Sequence, residues 1–84
     1  MKLLDVGFGN TVNADRIIAI AGADAAPVKR MISAAKEKNL AIDTTCGRKT
    51  KAVIIMDSGH VVMSAKEQDK LNEKAITIGD ENDE

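Results

Sequence analysis

Aromatic residues are almost absent from this chain of 84 residues. It has no tryptophan, no tyrosine and a single phenylalanine, Phe8. Modules that bind single-stranded nucleic acid stack the bases on several aromatic side chains, and one ring cannot build such a platform. If the protein binds nucleic acid, we therefore expect it to hold the phosphates.

Cysteine and histidine are equally scarce, with one of each, Cys46 and His60. A single cysteine excludes an intramolecular disulfide and a zinc site built from several cysteines. Cys46 lies two residues before Arg48, which favours some redox sensitivity of its thiol. Since neither residue has neighbours that complete a catalytic or metal-binding set, we interpret His60 as structural. We predict a protein that is not an enzyme and has no metal, cofactor or small-molecule substrate.

Long apolar runs are also missing. No stretch approaches the roughly 20 residues of a transmembrane helix, and the N-terminal segment does not match a signal peptide. We therefore expect a cytoplasmic bacterial protein without a membrane partner. A chain of this length forms one domain with a modest core, and such domains often gain stability by oligomerising.

Charge is unevenly distributed, although its net value is only −1. Residues 29–51 contain seven cations and two anions, a balance of +5, whereas the last six residues, GDENDE, contain four anions and no cation. Without those six residues the chain has twelve cations and nine anions, a balance of +3. We predict a single mildly basic domain over residues 1–78 and an acidic disordered tail over residues 79–84.

The segment 40–56 has the clearest pattern for a binding site. Residues 40–45 alternate as a half-buried strand does, and residues 52–56 form an apolar run typical of a strand buried on both faces. Gly47, between them, suits the positive φ of a tight reversal. The pattern predicts a hairpin whose tip carries three cations and no acid: Arg48, Lys49 and Lys51. Such a tip either binds an anionic partner or is a solvated turn that favours solubility.

The rest of the chain predicts a small α+β domain of order ββαβββα with a largely antiparallel sheet. Residues 7–10 are expected to form a turn, and residues 11–15 a polar connection. Further strands are expected at residues 2–6, 16–20 and 60–63.

Two helices are expected. The first spans residues 26–38, because Pro27 suits a first helical turn and the apolar residues recur on one face. Asp24 is positioned either to cap it or to complement its positive end, and Asn39 is positioned to end it. The second runs from residue 65 to about 75, because Ser64 and Glu67 match a capping box. Its thin apolar face predicts loose packing or contact with a neighbouring subunit.

Three further cations lie outside the predicted hairpin. Arg16 precedes a strand, so we expect its aliphatic stem to follow the sheet edge and its charged head to be free. Lys29 and Arg30, in the first turns of the first helix, are either additional phosphate contacts or part of a solvated face. The segment Gly7-Phe8-Gly9 matches only the start of a dinucleotide-binding fingerprint, because the third glycine is missing, and we interpret it as a loop.

Three segments taken together, VGFGNTVNADRIIAI, APVKRMISAAKEK and IDTTCGRKTKAVIIMDSGHVVMSA, resemble the bacterial RemA family of regulators. The resemblance covers about residues 3–65 without an evident gap. It implies a cytoplasmic, nucleoid-associated DNA-binding protein without enzyme activity. It also implies assembly into ring-shaped homo-oligomers that hold DNA along or around the ring in a histone-like manner, and a link to genes for the extracellular matrix of biofilms.

The same resemblance implies which residues contact DNA. The family's DNA-contacting arginines fall on Arg16 and Arg48, and further basic positions fall on Lys49 and Lys51. Lysine at position 49, where the family has arginine, keeps the charge but loses the bidentate fork, so we expect a phosphate contact there. Cys46 stands in place of a family tyrosine, and the resemblance gives Pro27 a role in assembly geometry.

We therefore hypothesise a transcriptional regulator that contacts duplex DNA through basic hairpins repeated around a ring, with a sequence preference set mainly by DNA shape. Two other classes stay open. A duplex-RNA binder would use the same cations, and competition between the two duplexes would separate it. A structural or protein-interaction oligomer would dock an acidic partner, or the chain's own tail, on the hairpin, and would have negligible DNA affinity.

Overall fold

The chain folds into two small sheets and two α-helices, and the computed structural model describes residues 1–81, with the side chains of residues 1–78. In chain order the elements are β1 (Leu3–Gly7), β2 (Asn10–Asn13), a 3-10 turn (Ala14–Arg16), β3 (Ile17–Gly22), α1 (Ala26–Glu37), β4 (Ala41–Asp43), β5 (Ala52–Met56), β6 (Val61–Ser64) and α2 (Gln68–Glu81). The observed order βββαβββα confirms an α+β fold and adds one strand to the prediction.

The added strand is β2, which lies in the stretch that the sequence pattern assigns to a polar connection. It pairs with β1 in antiparallel orientation, with Leu4 opposite Val12. Only Val12 of this strand packs against the core. Polar composition misled the prediction because a strand at a sheet edge is held by backbone hydrogen bonds and needs few apolar side chains.

Strands β4 and β5 do not form the predicted hairpin. Strand β6 lies between them and pairs antiparallel with β5 and parallel with β4, in a sheet of order β3-β5-β6-β4. Alternating apolar and polar residues indicate strands, and a glycine indicates a reversal of the chain, but neither shows which strands pair with each other. Residues 44–51, here called the basic loop, instead cross the end of β6 over two strand spacings, about 10 Å. The tight hairpin joins β5 to β6, and its Gly59 has a φ of 92°.

Strand β5 is buried on both faces, as its apolar run predicts. Ala52, Val53 and Ile54 have no exposed surface. Ala52 and Ile54 pack with residues of β1, β6 and α2 on one face, and Val53 packs with residues of α1 and β6 on the other. Full burial of a Val or Ile side chain contributes about 1.5–3 kcal/mol. The four-stranded sheet is thus the middle layer, between α1 on one side and α2 with the β1–β2 hairpin on the other.

Helix α1 has nearly the predicted boundaries. Pro27 lies in the first turn, where its missing N–H has no intrahelical partner to lose. Asn39 follows the end of the helix with a φ of 59°, the left-handed conformation expected of a stop. The predicted cap is wrong: Ala25, not Asp24, is the N-cap, and no described side chain caps the helix.

Helix α2 begins later than predicted and is well packed. Ser64 is the last residue of β6, and its buried hydroxyl donates to the carbonyl of Val6 at 2.7 Å and accepts from the N–H of Lys66 at 3.0 Å. The predicted capping box is therefore wrong, because that hydroxyl is engaged before the helix begins. Leu71 has no exposed surface, since α2 closes the core over β1 and β3.

The same helix extends past its predicted end near residue 75 and reaches Glu81. The backbone of residues 79–81 is described as part of this helix, and residues 82–84 of the predicted tail lie outside the described residues. The division into a domain and a tail stays a prediction. Neither helix, within the part of the chain that the structure describes, has the length and apolar character needed to cross a membrane.

Candidate nucleic-acid interface

The basic loop is anchored at its base by two buried threonines. The hydroxyl of Thr44 donates to the carbonyl of Met63 at 2.7 Å, and the hydroxyl of Thr45 donates to Asp43 Oδ1 at 2.6 Å. The Thr45 hydroxyl, followed by the backbone N–H of Thr45, holds the pKa of the Asp43 carboxyl below its usual value. The N–H of Arg48 donates to the carbonyl of Thr45 at 3.0 Å. The loop therefore leaves the sheet in one defined direction.

The tip of the loop is exposed and reverses through left-handed backbone. Gly47 has a φ of 82°, as the sequence pattern predicts, and Cys46 before it has a φ of 52°. Cys46 is a free, exposed thiol. The reversal presents Arg48 and Lys49 to solvent.

Four cations and the only aromatic ring surround one open cavity of about 600 Å³ next to this loop. Its walls come from three separate segments: the turn after β1, the basic loop, and the residues after β6. The lining residues are Gly7, Phe8, Arg48, Lys49, Lys51, Ala65 and Lys66. We call this region the basic cavity. The sequence prediction missed Phe8 and Lys66 as members, because both reach the cavity from elements distant in the chain.

Positive charge exceeds negative charge around the basic cavity. Lys66 Nζ lies 3.4 Å from Asp5 Oδ2, and Lys51 Nζ lies 4.0 Å from Glu67 Oε1. The N–H of Gly7, and secondarily Lys66, hold the pKa of Asp5 below its usual value. Arg48 and Lys49 form no ion pair among the described side chains. Among the described side chains, two of the four cations are therefore paired with an acid and two are not.

Arg16 is held in an ion pair, so the expectation of a free head is wrong. Its Nε donates to both carboxylate oxygens of Asp57, each at 3.0 Å. The N–H of Asp57 also donates to the carbonyl of Arg16 at 2.9 Å. The two residues lie 41 positions apart in the chain, and only the pairing of β3 with β5 brings them together. The Arg16 side chain remains largely accessible, at 61% exposure.

Arg16 and the basic loop lie at opposite ends of the same sheet. At one end Ile17 is paired with Met56, and at the other Gly22 is paired with Ala52. The strand between them has five residues, a separation on the order of 15 Å at 3.3 Å per residue. Within one chain, the structure does not bring the two arginines named by the resemblance together.

Lys29 and Arg30 are exposed on the first turns of α1. Because α1 begins shortly after Gly22, they lie at the same end of the sheet as the basic loop. Neither lines the basic cavity, and in the described part of the chain neither side chain forms an ion pair or hydrogen bond. Their role as additional phosphate contacts stays a prediction.

His60 belongs to the β5–β6 turn, where its Nδ1 lies 2.6 Å from the hydroxyl of Ser58. This contact agrees with the structural role predicted for it. Among the residues whose side chains are described, no three His, Cys, Asp or Glu residues are grouped so that they could hold a metal ion.

The chain matches a family model described as RemA-like, extracellular matrix regulatory protein A-like, over residues 3–75. The match includes every strand, helix α1 and about half of α2. It therefore covers the basic loop, Arg16 and the turn that carries Phe8.

Similar proteins occur in several organisms. A protein of Brevibacillus brevis is 48% identical over 84 residues, which cover 100% of this chain and 98% of that relative. One of Clostridium kluyveri is 45% identical over 83 residues, 99% of this chain and 90% of the relative. One of Synechococcus elongatus is 59% identical over 63 residues, which cover 75% of this chain and 72% of that relative. All three carry the name "Putative regulatory protein".

Proposed function

Because the chain belongs to the RemA-like family, whose members here are named as regulatory proteins, we propose that it is a transcriptional regulator that binds duplex DNA as a homo-oligomeric ring. The observation that carries DNA binding is the basic cavity. Arg48, Lys49, Lys51 and Lys66 outnumber the two acids that pair with them in the described chain, and they surround a surface that is open to a large partner.

Phosphate contacts account best for this surface. Duplex DNA carries one negative charge per about 1.7 Å of axis, and cations that neutralise phosphates release condensed counterions. Arg48 and Lys49 are available for such contacts because no described acid pairs with them. The anchored base of the basic loop lowers the conformational entropy that binding would cost, since Thr44 and Thr45 already hold the loop in place.

Assembly into a ring would compensate for the low DNA affinity of a single subunit. Four cations per chain support only non-specific affinity at physiological salt. Copies of the basic cavity repeated around a ring make later contacts intramolecular, which can raise affinity by roughly 10²–10⁴ without a new kind of contact.

The two open edges of the sheet support a head-to-tail assembly. Strands β3 and β4 are the outer strands, and each exposes an isoleucine, Ile18 at 66% and Ile42 at 46%. The edges differ in length and sequence, so contact between them would be heterologous. Heterologous contacts close into rings when the rotation between copies allows it.

Regulation would follow from organising DNA in the cytoplasm, at the nucleoid. Because the cations of the basic cavity are suited chiefly to phosphate contacts, sequence preference would come mainly from DNA shape and deformability. The link to extracellular matrix genes rests on the family description alone.

The test measures duplex binding by wild type and Arg48→Ala at several salt concentrations, with the oligomer mass determined on the same samples. We expect a steep salt dependence in wild type, at least tenfold weaker binding by Arg48→Ala with a shallower slope, and an unchanged mass. Lys74→Ala is the matched control. It removes an exposed cation of α2 that lies outside the basic cavity, and it should bind nearly as wild type does.

Three results would contradict the proposal. A large oligomer without DNA affinity at low salt would leave a scaffold that docks an acidic protein. If the protein prefers duplex RNA in direct competition with duplex DNA, its cations bind the phosphates of an A-form RNA helix instead. Equal losses in Arg48→Ala and Lys74→Ala would mean that net charge, not the basic cavity, determines binding.

A further inference from the structure

The turn that carries Phe8 has a costly conformation. Phe8 has a φ of 53°, and its neighbours Gly7 and Gly9 have φ values of 111° and 80°. A bulky residue in left-handed backbone is uncommon and unfavourable, and such strain concentrates at functional positions. The turn is nevertheless well held. The side chain of Asn10 donates to the carbonyl of Gly7 at 3.1 Å, and Asp5 Oδ1 accepts from the N–H of Gly7 at 2.8 Å.

The ring at the tip of this turn is exposed instead of packed in the core. Phe8 is 51% exposed, although it is the only aromatic residue of the chain. The two-residue turn between β1 and β2 requires a positive φ at both central positions, but neither the turn nor the core requires an exposed phenylalanine at one of them. A single exposed apolar side chain is ordinary on a protein surface, but Phe8 differs from the other exposed apolar residues in bordering a cavity lined by four cations.

The surroundings of the ring indicate what that partner is. The guanidinium carbon of Arg48 lies 5.6 Å from the ring centroid, and Lys49, Lys51 and Lys66 line the same cavity. An apolar protein partner would leave these cations without counter-charges. A polyanion with flat apolar groups between its charges satisfies both the cations and the ring, and duplex DNA is such a ligand.

We propose that Phe8 enters the DNA minor groove beside Arg48 and acts as an apolar wedge against sugars and base edges. The inference rests on the DNA binding proposed above and adds a contact that is not a phosphate contact. Architectural proteins combine apolar wedges and arginines in the minor groove in this way, and they bend DNA most easily at flexible pyrimidine–purine steps. Phe8 would therefore determine preference for deformable sequences, whereas the lysines determine overall affinity.

Phe8→Trp makes the contact visible, because the chain contains no other tryptophan or tyrosine. We expect the emission of this full-length variant to be quenched when a duplex rich in TA steps is added. Ile76→Trp is the control, since Ile76 is an exposed apolar residue of α2, at 65%, outside the basic cavity. Its emission should stay constant. An unchanged emission of Phe8→Trp under saturating DNA would overturn the inference.

Two further variants separate a wedge from a support for Arg48. Leucine keeps an apolar wedge but offers no ring face to the guanidinium, whereas alanine removes both. We expect Phe8→Ala to bind the TA-rich duplex about tenfold more weakly than wild type does, with an unchanged salt slope. This variant should also no longer prefer the TA-rich duplex to a stiff A-tract duplex. Phe8→Leu should keep most of the affinity and of the preference. Equal losses in both variants would assign Phe8 to holding Arg48 and overturn the wedge.

These outcomes are distinct from a failure of the proposed function. If wild type binds no duplex, DNA binding itself fails. If wild type binds with a steep salt dependence and Phe8→Ala matches it on both duplexes, DNA binding stands and only the wedge is wrong.

Discussion

The two ends of the four-stranded sheet carry the same kind of residue in opposite electrostatic states. At one end the Arg16 guanidinium is paired with both oxygens of Asp57. At the other, Arg48 lies over Phe8 and has no acidic partner among the described side chains. An arginine without a counter-charge is ready for phosphate, whereas a paired one must exchange its partner first. The comparison shows that a basic position in the sequence indicates a candidate contact, but not how available that contact is.

Charge reversal at the unpaired end should have the largest effect. Arg48→Glu combined with Lys49→Glu places two anions on the rim of the basic cavity. We expect DNA affinity to fall at least about a hundredfold, because both phosphate contacts become repulsive in every subunit of the oligomer. Electrophoretic mobility shifts at constant salt measure this. The matched control, Lys74→Glu together with Lys70→Glu on α2, should cost far less, and a similar loss in the control would contradict a localised interface.

Removing the acidic partner of Arg16 at the paired end of the sheet should raise DNA affinity. Asp57→Asn removes the carboxylate that occupies the guanidinium, so we expect DNA binding to strengthen by a few fold at low salt. Asp15→Asn is the control, since it removes an exposed acid that is next to Arg16 in sequence but forms no ion pair with it in the described chain. Weaker binding by Asp57→Asn would mean that Asp57 orients Arg16 for its contact.

The anchored base of the basic loop can be tested by stability. Thr44→Val keeps the side-chain volume but removes the buried hydroxyl that donates to Met63. We expect a loss of about 1 kcal/mol in the free energy of unfolding, seen as a melting temperature about 4–8 °C lower for a domain of this size. Thr11→Val, on the exposed edge strand β2, should change stability by no more than about 0.5 kcal/mol. Equal melting temperatures would show that the hydroxyl does not hold the loop.

Acid should weaken the same anchor by a smaller amount. The pKa of Asp43 is lowered from 3.8 in the folded chain, chiefly by the Thr45 hydroxyl. Its contribution to stability is therefore complete above pH ~4 and is lost as the pH falls through the lowered folded value. Melting curves between about pH 5 and pH 2 should show a flatter decline for Asp43→Asn than for wild type. Glu37→Gln, an exposed carboxylate of α1, should keep the wild-type slope.

Features that depend on neighbours in the chain were predictable. The limits of α1 follow from the spacing of its apolar residues and from Pro27, and the positive φ at Gly47 follows from the lack of a Cβ. The burial of β5 on both faces follows from an apolar run too short for a helix. Each of these depends on forces that act within a few residues.

Features that depend on strand order were not predictable. The pattern of residues 40–56 could not show that β6 lies between β4 and β5, because a strand's own sequence records how deeply it is buried but not which strand is beside it. For the same reason the pairing of Arg16 with Asp57 could not be predicted. The sequence pattern also assigned Ser64 to a helix cap, whereas its hydroxyl donates to the Val6 carbonyl.

The sequence by itself determined which residues carry charge, which runs are apolar and where the backbone must reverse, and these are properties of side chains and local backbone. Only the tertiary structure decided that Phe8, Arg48 and Lys66 border one cavity and that Arg16 lies at the far end of the sheet beside an acid. The physical reason is the burial of the central sheet. Covering both faces of β5 and β6 sets the strand order, and the strand order sets which loops and turns meet at each end.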